Sequence, residues 1–213
     1  MHLFSYSTSK QALEILETIS SVKQRLRVLK TQKTSIGLVP TMGALHKGHL
    51  ELIRLSKKQT DLTFVSIFVN PIQFNNPEDL QKYPRTLSTD LEILRKEGVD
   101  LVFVPSETEM YPEPVSMEYD FGSMEQVLEG RFRPGHFNGV AIVVSFFGQK
   151  DLQQVAIIQR MVNDLSFQIK IEVVPTIREM DGLALSSRNR RLSNEGRKIA
   201  PMLYKTLSKC KDE

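Results

Sequence analysis

A continuous apolar run at residues 62–69, "LTFVSIFV", constrains the fold of this chain more than any other feature. The run is rich in β-branched residues and has no polar alternation, which is typical of a strand covered on both faces. Shorter apolar runs predict further strands at residues 35–40, 100–105 and 170–175. Several buried strands of this kind indicate a parallel sheet.

Segments with helical periodicity alternate with these strands. Apolar residues recur at helical spacing in 7–30, 48–58, 87–98 and 152–165, and a last helix is predicted from about Ser193. The alternation predicts an α/β fold with helices on both faces of the sheet. Right-handed crossovers place the loops after the strands on one rim, where ligands bind in such sheets. The Pro-rich, acidic stretch 105–126 is expected to lie outside the sheet.

Composition excludes several classes of protein. The net charge of +3 is small and the basic residues are spread along all 213 positions, so we expect no nucleic-acid partner. The single cysteine, Cys210, excludes a disulfide framework and a cysteine zinc site, and it fits a reducing compartment. His2 and His136 lie in no metal-ligand pattern. No signal peptide or membrane-spanning stretch is evident, so we expect a cytoplasmic protein without a membrane partner.

The segment 39–53, "VPTMGALHKGHLELI", joins a predicted strand to a predicted helix. Gly43 and Gly48 allow the backbone to approach a ligand closely, and the N–H groups of a helix start favour an anion. His46 and His49 add side-chain donors at the same place. The segment therefore predicts a phosphate site, although it lacks the Gly-Lys-Ser/Thr ending of a P-loop. A capped helix with incidental histidines is the alternative.

The loop after the second strand carries amides that can recognise a small ligand. Asn70 and Gln73 can hydrogen-bond a hydroxylated or carboxylated molecule, and a Pro-rich surface loop is the alternative. Asp90, early in the next predicted helix, is a candidate Mg²⁺ ligand. A helix-start carboxylate that complements the helix dipole explains Asp90 equally well.

Two later segments supply cations. In 147–155, "FGQKDLQQV", Lys150 can meet a phosphate as a point charge, and Gln154 lies one turn into the following helix. Arg133 and His136 of the preceding segment could add donors. In 181–193, "DGLALSSRNRRLS", Arg188 can bind phosphate oxygens through two nitrogens. The alternatives are a solvated lysine and a polar loop before the helix that Ser193 caps.

These segments, taken in order from about residue 36 to residue 190, resemble the pantothenate synthetase (pantoate–β-alanine ligase) family. The His-x-Gly-His turn alone would indicate only the wider nucleotidyltransferase superfamily. The resemblance implies a Rossmann-like catalytic domain over residues 1–190. Residues 191–213 would be a helix leading to a C-terminal lid domain that is largely absent here. It also implies a homodimer.

The reaction that the resemblance implies has two steps. The pantoate carboxylate attacks the α-phosphorus of ATP, which forms pantoyl adenylate and releases pyrophosphate. The amine of β-alanine then attacks the activated carbonyl, which gives pantothenate and AMP. Mg²⁺ would accompany ATP. Without a lid, the adenylate would be exposed to hydrolysis, so we expect ATP to bind and turnover to be limited.

The resemblance also assigns roles to individual residues. His49 would be the proton donor, and His46, Lys150 and Arg188 would stabilise phosphate charge. Pantoate would contact Gln73, Gln154 and Asn70, with Gln73 also near β-alanine, and Asp90 would hold Mg²⁺. The residues expected to line ATP are Met42, Gly43, Ala44, Leu45, His46, Lys47, Gly48, His49, Gly148, Gln149, Lys150, Asp151, Ile177, Leu185, Ser186, Ser187 and Arg188.

One departure and two alternatives remain open. Family members have a longer stretch where "GVAIVVS" here runs directly into "FFGQKD", so residues are either deleted or left out near Ser145 and Phe146. A different nucleotidyltransferase would need only the His-x-Gly-His turn and would leave the glutamine-bearing segments unexplained. A nucleotide-binding module with little turnover is the other alternative.

Overall fold

A parallel β-sheet organises the chain, as the buried apolar runs predict. The computed structural model describes residues 12–74, 76–113, 147–164 and 169–212. Four strands form the main sheet in the order β1-β4-β3-β2, and every neighbouring pair is parallel: β1 (Glu14–Leu16), β2 (Ile36–Thr41), β3 (Leu62–Ile67) and β4 (Leu101–Phe103). A second parallel pair consists of β5 (Phe147–Gly148) and β6 (Val173–Val174).

Helices connect the strands and follow them. They are α1 (Ile19–Thr31), α2 (Lys47–Gln59), α3 (Pro77–Gln81), α4 (Leu87–Glu97), α5 (Glu107–Met110), α6 (Leu152–Asp164), α7 (Asn194–Ile199) and α8 (Met202–Asp212). Short 3₁₀ turns lie at Pro71–Gln73, Gln149–Asp151 and Ser187–Arg191. Gly98, in the left-handed conformation (φ +66°), ends α4, which agrees with the sequence prediction.

The core lies on both faces of the main sheet. On one face, Leu62 and Phe64 of β3 pack with Leu29 of α1. On the other face, Val65 packs with Ile53 of α2 and with residues of α4. Alternate residues of one strand therefore bury against helices on opposite sides, and all six residues of β3 are buried. This confirms the prediction made from the run at 62–69.

The first predicted helix is partly wrong. The leucines at helical spacing in 7–30 suggested one continuous helix, but Glu14–Leu16 form β1, which pairs with β4 at the edge of the sheet. Helix α1 begins only after Thr18, whose side chain accepts a hydrogen bond from the Ser21 N–H. Burial of Leu16 beside Leu101 outweighs the weak local preference for a helix.

Two other boundaries differ from the sequence predictions. The strand expected over 170–175 is limited to Val173–Val174. The last helix begins after the predicted Ser193 cap, but it is divided into α7 and α8 around Pro201, which has no N–H group to continue the helical hydrogen bonds. Within the described ranges, none of the helices has the length and apolar character needed to cross a bilayer.

Candidate active site

The turn after β2 adopts an unusual backbone conformation. Gly43 and Ala44 both have positive φ angles, +76° and +50° respectively. Glycine adopts such angles without strain, whereas alanine does so at a cost. Ala44 is fully buried, so the surrounding structure must hold it in this conformation. The turn then leads directly into His46, the residue before α2.

The two histidines of this turn hold each other in fixed positions. The Nδ1 atom of His46 accepts a hydrogen bond from the Gly48 N–H at 3.1 Å, and the Nδ1 atom of His49 accepts one from the His46 N–H at 3.3 Å. The two ring centroids lie 4.0 Å apart. Because each Nδ1 atom accepts, each neutral ring carries its proton on Nε2. The pair therefore presents Nε2–H groups as donors.

Both imidazoles are neutral at neutral pH. Burial, followed by the positive charges of Lys150 and Arg190, lowers the pKa of His46 to about 4. Burial, followed by the charges of His46 and Lys150, lowers the pKa of His49 to about 3. Since an anion can be stabilised by a neutral N–H donor, this environment suits binding of phosphate without protonation of the rings.

Side chains of the protein bind several N–H groups just before and at this helix start, and the binding of an anion there stays a prediction. The Gly43 N–H donates to Thr41 Oγ1, and the Ala44 and Leu45 N–H groups donate to Asp90. The His46 N–H donates to the His49 ring, and the Gly48 N–H donates to the His46 ring. Side chains of the protein already satisfy these five groups, and the imidazole Nε2–H groups add two side-chain donors to the turn.

Gly48 is required by the position of the His46 ring. A Cβ atom at residue 48 would lie 2.9 Å from Cε1 and 3.0 Å from Nδ1 of His46. The absence of a side chain at Gly48 thus makes room for the imidazole, and the predicted close approach of a ligand stays a prediction.

The amide-bearing loop after β3 is tied to the chain after β4. Asn70 is only 2% exposed, and its Oδ1 atom accepts hydrogen bonds from the Ile72 N–H at 3.2 Å and the Tyr111 hydroxyl at 2.8 Å. Gln73 ends the 3₁₀ turn Pro71–Gln73 and is half-buried. The structure thus gives Asn70 a role in shaping the loop, and its predicted contact with a ligand stays a prediction.

Strand β5 brings the segment 147–155, which carries Lys150, close to the histidine turn. Gly148 pairs with Val174, and β5 contacts α2, the helix that the histidines begin. Lys150 follows in the 3₁₀ turn Gln149–Asp151, and its charge acts on both histidines. Gln154 is half-buried in the first turns of α6. Arg133, His136 and the junction at Ser145 and Phe146 lie outside the described residues.

The segment 177–191 packs directly onto the same turn. The Ser187 hydroxyl donates to the Ala44 carbonyl at 3.2 Å, across 143 positions of sequence. Ile177 and Leu185, both predicted to line a nucleotide, are joined by a backbone hydrogen bond of 3.0 Å. Ser186 caps the 3₁₀ turn that carries Arg188. The predicted residues of these three segments are therefore brought together.

Comparison with known proteins identifies the family. A family model described as pantoate-beta-alanine ligase matches residues 14–213. The chain belongs to this family. A pantothenate synthetase from Cytophaga hutchinsonii is 47% identical over 204 residues, which are 91% of this chain and 72% of that protein. One from Bacteroides fragilis is 47% identical over 210 residues, which are 93% of this chain and 74% of that protein.

Solved structures of pantoate-beta-alanine ligases have the same fold. A pantothenate synthetase from Thermus thermophilus superimposes with a TM-score of 0.84 at 43% identity, covering 90% of this chain and 72% of that one. The ligase from Francisella tularensis, described as complexed with beta-gamma ATP and beta-alanine, gives a TM-score of 0.85 at 41% identity. That match covers 92% of this chain and 80% of that one. The α/β fold with a parallel sheet is thus the fold of the ligase family.

The surroundings of Asp90 do not fit the Mg²⁺ role that the ligase resemblance implies. Asp90 is 1% exposed, and its two carboxylate oxygens accept hydrogen bonds from the Ala44 and Leu45 N–H groups and from the Thr86 hydroxyl. Within the described ranges, no group of three or more His, Cys, Asp or Glu side chains could hold a metal ion. Mg²⁺ bound to a nucleotide is coordinated largely by phosphate and water, and it does not require this carboxylate.

Sequence reasoning missed several residues of this candidate site. Asp79 forms ion pairs with Arg188 and Arg191, and Tyr111 orients Asn70. The charge of Arg190 acts on His46. The only sequence signal was the density of basic residues in "SRNRR", since a pairing partner more than a hundred positions away has no local signature.

Proposed function

We propose that this chain joins pantoate to β-alanine at the expense of ATP, through the site at the end of β2 and β3. In the first step a pantoate carboxylate oxygen bonds to the α-phosphorus, and the bond from that phosphorus to the bridging oxygen breaks, releasing pyrophosphate. In the second step the β-alanine nitrogen bonds to the acyl carbon, the acyl–oxygen bond breaks, and AMP leaves. The nitrogen loses its extra protons to solvent.

The pair of neutral imidazoles is the observation on which this proposal rests. His46 and His49 present Nε2–H donors at one place, and Lys150 is close enough to lower the pKa of both rings. Donors held in place before the substrate binds stabilise developing negative charge without reorganisation. Such a group of donors suits a departing pyrophosphate. In this proposal His49 donates a hydrogen bond, because a ring with so low a pKa carries no second proton at neutral pH.

We assign the remaining residues by segment. Arg188 and Lys150 hold phosphate oxygens as charges, while Gln73 and Gln154 bind pantoate, with Gln73 also near β-alanine. The side chains of Ala44 and Leu45 are buried and their N–H groups donate to Asp90, so a contact with ATP at these positions would use backbone carbonyl groups. The other residues proposed to line ATP are Met42, Gly43, Lys47, Gly48, Gly148, Gln149, Asp151, Ile177, Leu185, Ser186 and Ser187.

Mg²⁺, a homodimer and a cytoplasmic location complete the proposal. The ion would enter with ATP, held by phosphate oxygens and water. The division into a catalytic domain over 1–190 and a terminal segment over 191–213 is part of the same proposal. Sedimentation equilibrium of the purified chain tests the dimer directly, since a monomer mass at all concentrations would contradict it.

Formation of AMP from ATP, pantoate and β-alanine tests the reaction. We expect AMP formation to require pantoate and to increase with β-alanine, and pantothenate to appear by mass spectrometry only when all three substrates are present. His49→Ala should lower kcat by about 100-fold or more, as loss of one such donor does in other enzymes. Lys150→Ala should do likewise, whereas Lys58→Ala, an exposed lysine at the end of α2, should have no effect.

Pyrophosphate release separates this function from that of another nucleotidyltransferase. The ligase releases pyrophosphate only when pantoate is present, even without β-alanine. Release that does not depend on pantoate, with the nucleotide retained in the product, would contradict the proposal. Amine-dependent AMP formation from ATP, pantoate and β-alanine would exclude a nucleotide-binding module with little turnover, and its absence would favour that alternative.

A further inference from the structure

Asp90 is a buried carboxylate that accepts three hydrogen bonds from within the protein. It lies in the first turn of α4 and is 1% exposed. Its Oδ2 atom accepts from the Ala44 N–H at 2.9 Å and from the Thr86 hydroxyl at 3.0 Å, and its Oδ1 atom accepts from the Leu45 N–H at 2.8 Å. A carboxylate shielded from solvent and used in this way is not free to enter the coordination sphere of an ion.

The donors come from the most strained part of the histidine turn. Ala44 has a positive φ angle, which costs free energy for any residue other than glycine. The carboxylate also packs against the backbone of Gly43, because a Cβ atom there would lie 3.1 Å from Asp90 Oδ2. Hydrogen bonds to a charged acceptor are stronger than those between neutral groups. Asp90 therefore supplies the interaction that holds this turn in its conformation.

The turn in turn determines where the imidazoles lie. Leu45 directly precedes His46, and the His46 N–H is bound by the ring of His49. A change in the path of residues 44 and 45 would rotate the His46 peptide and release this hydrogen bond. The His49 ring would lose its donor directly. The His46 ring would also move, because its Nδ1 atom must stay within reach of the Gly48 N–H.

We propose that Asp90 is a positioning residue whose carboxylate binds the Ala44 and Leu45 N–H groups and thereby directs the Nε2–H donors of His46 and His49 toward the phosphates of ATP. This inference rests on the proposed function for the identity of the ligand. In this role the Asp90 carboxylate does not bind Mg²⁺. It serves as an anion of the protein itself that accepts from the backbone N–H groups of the turn.

ATP binding with and without Mg²⁺ distinguishes the two roles of Asp90. Asp90→Asn keeps the shape of the side chain, but its NH₂ group must face one of the two backbone N–H donors. We expect calorimetry to show ATP affinity reduced by about tenfold or more, by the same factor in Mg²⁺ and in EDTA. A loss confined to the Mg²⁺ buffer would assign Asp90 to the metal, and an unchanged affinity in both buffers would also overturn the proposal.

Asp100→Asn is the matched control. Asp100 is another carboxylate that binds a backbone amide, the Thr63 N–H at 2.8 Å, but it lies beside β3 at the opposite end of the strand from the histidine turn. The same chemical change there should leave ATP affinity within about twofold of the wild type. An equal loss in both variants would show a general effect on stability and would contradict a positioning role.

Amide hydrogen exchange without ATP tests the turn independently of the proposed function. Asp90→Asn should speed exchange at the amides of residues 44–46, and Asp100→Asn should not. Unchanged exchange at these amides would overturn the inference, even if the wild-type chain bound no ATP. If Asp90→Asn does not fold, Thr86→Val removes one of the three hydrogen bonds and should reduce ATP affinity by about threefold in both buffers.

Discussion

Asp79 holds the guanidinium of Arg188 across 109 positions of sequence, with Oδ2 at 3.0 Å from Nη2. Its other carboxylate oxygen bonds to Arg191. Burial raises the pKa of Asp79, but the hydrogen bonds and charges of Arg191 and Arg188 bring it below the ordinary value, so the carboxylate is ionised at neutral pH. The Cζ atom of Arg188 also lies 5.9 Å from the ring centroid of Phe74 and 5.8 Å from that of Tyr83. The loop after β3 thus fixes a cation of the segment 185–191.

Neutralising Asp79 should therefore impair the use of ATP. Arg188 has five N–H donors, so Asp79 can orient the group while other donors remain for phosphate. We expect Asp79→Asn to lower kcat/KM for ATP by about tenfold, measured by AMP formation. Glu78→Gln is the control, because Glu78 is the neighbouring residue and pairs only with exposed Lys82 among the described residues. Equal effects of the two variants would contradict a specific role for Asp79.

The stability of the fold should decrease in acid because of the two histidines. Their folded-state pKa values, about 4 for His46 and about 3 for His49, lie below the value of about 6.5 expected when unfolded. Above about pH 6.5 the two imidazoles are unprotonated in both the folded and the unfolded chain, so they do not make the free energy of unfolding depend on pH. Below it the unfolded chain binds them first, and stability is lost as the pH falls toward 4.

Urea unfolding at a series of pH values measures this dependence. The midpoint of the wild type should fall between about pH 6.5 and about pH 4. A His46→Gln, His49→Gln double variant should show a shallower decrease, since glutamine does not titrate. Parallel curves for the two proteins would mean that other groups control the acid sensitivity.

Gly48→Ala should disturb the site while leaving α2 intact. The new Cβ atom would lie 2.9 Å from a carbon of the His46 ring, so the ring must move. Alanine is otherwise a better helix former than glycine, and the helix itself should not be weakened. We expect kcat/KM to fall by about tenfold or more with little change in melting temperature. Gly196→Ala in α7 is the control, and activity there should stay within about twofold.

Two leucines on α4 provide a paired test of the core. Leu94 is fully buried and packs in the cluster with Val65, whereas Leu87 at the start of the same helix is 42% exposed. Leu94→Ala should lower the free energy of unfolding by about 2–5 kcal/mol. Leu87→Ala should lower it by no more than about 0.5 kcal/mol. Denaturant unfolding measures both, and similar losses would place the core elsewhere.

The central strands and α2, α4 and α6 could be predicted from sequence because each carries its own signal. The run at 62–69 has no alternation of polar residues to suggest an exposed face, and Gly98 marks the end of α4. Strand β1 could not be predicted, since its three residues owe their conformation to pairing with β4. Leu16 in the strand and Leu13 just before it fit the helical spacing of α1 equally well.

Some parts of the candidate site could be predicted from sequence and others could not. The histidine turn and the "SSRN" segment were recognisable from residue type and spacing, and they do meet in the structure. The role of Asp90 could not be read, because a carboxylate near a helix start has the same sequence signature whether it binds an ion, the helix or a distant turn. Only the fold shows that its partners lie in residues 44 and 45.

The hydrogen bond from Ser187 to Ala44 has a consequence for how the site forms. The two residues are separated by 143 positions, and contacts of such long range form slowly because a large loop must close first. Chain emerging during synthesis would contain both histidines long before Ser187 and Arg188 reach them. Under the proposed function, nucleotide binding would therefore depend on docking of this distant segment, and ATP affinity would follow that late step.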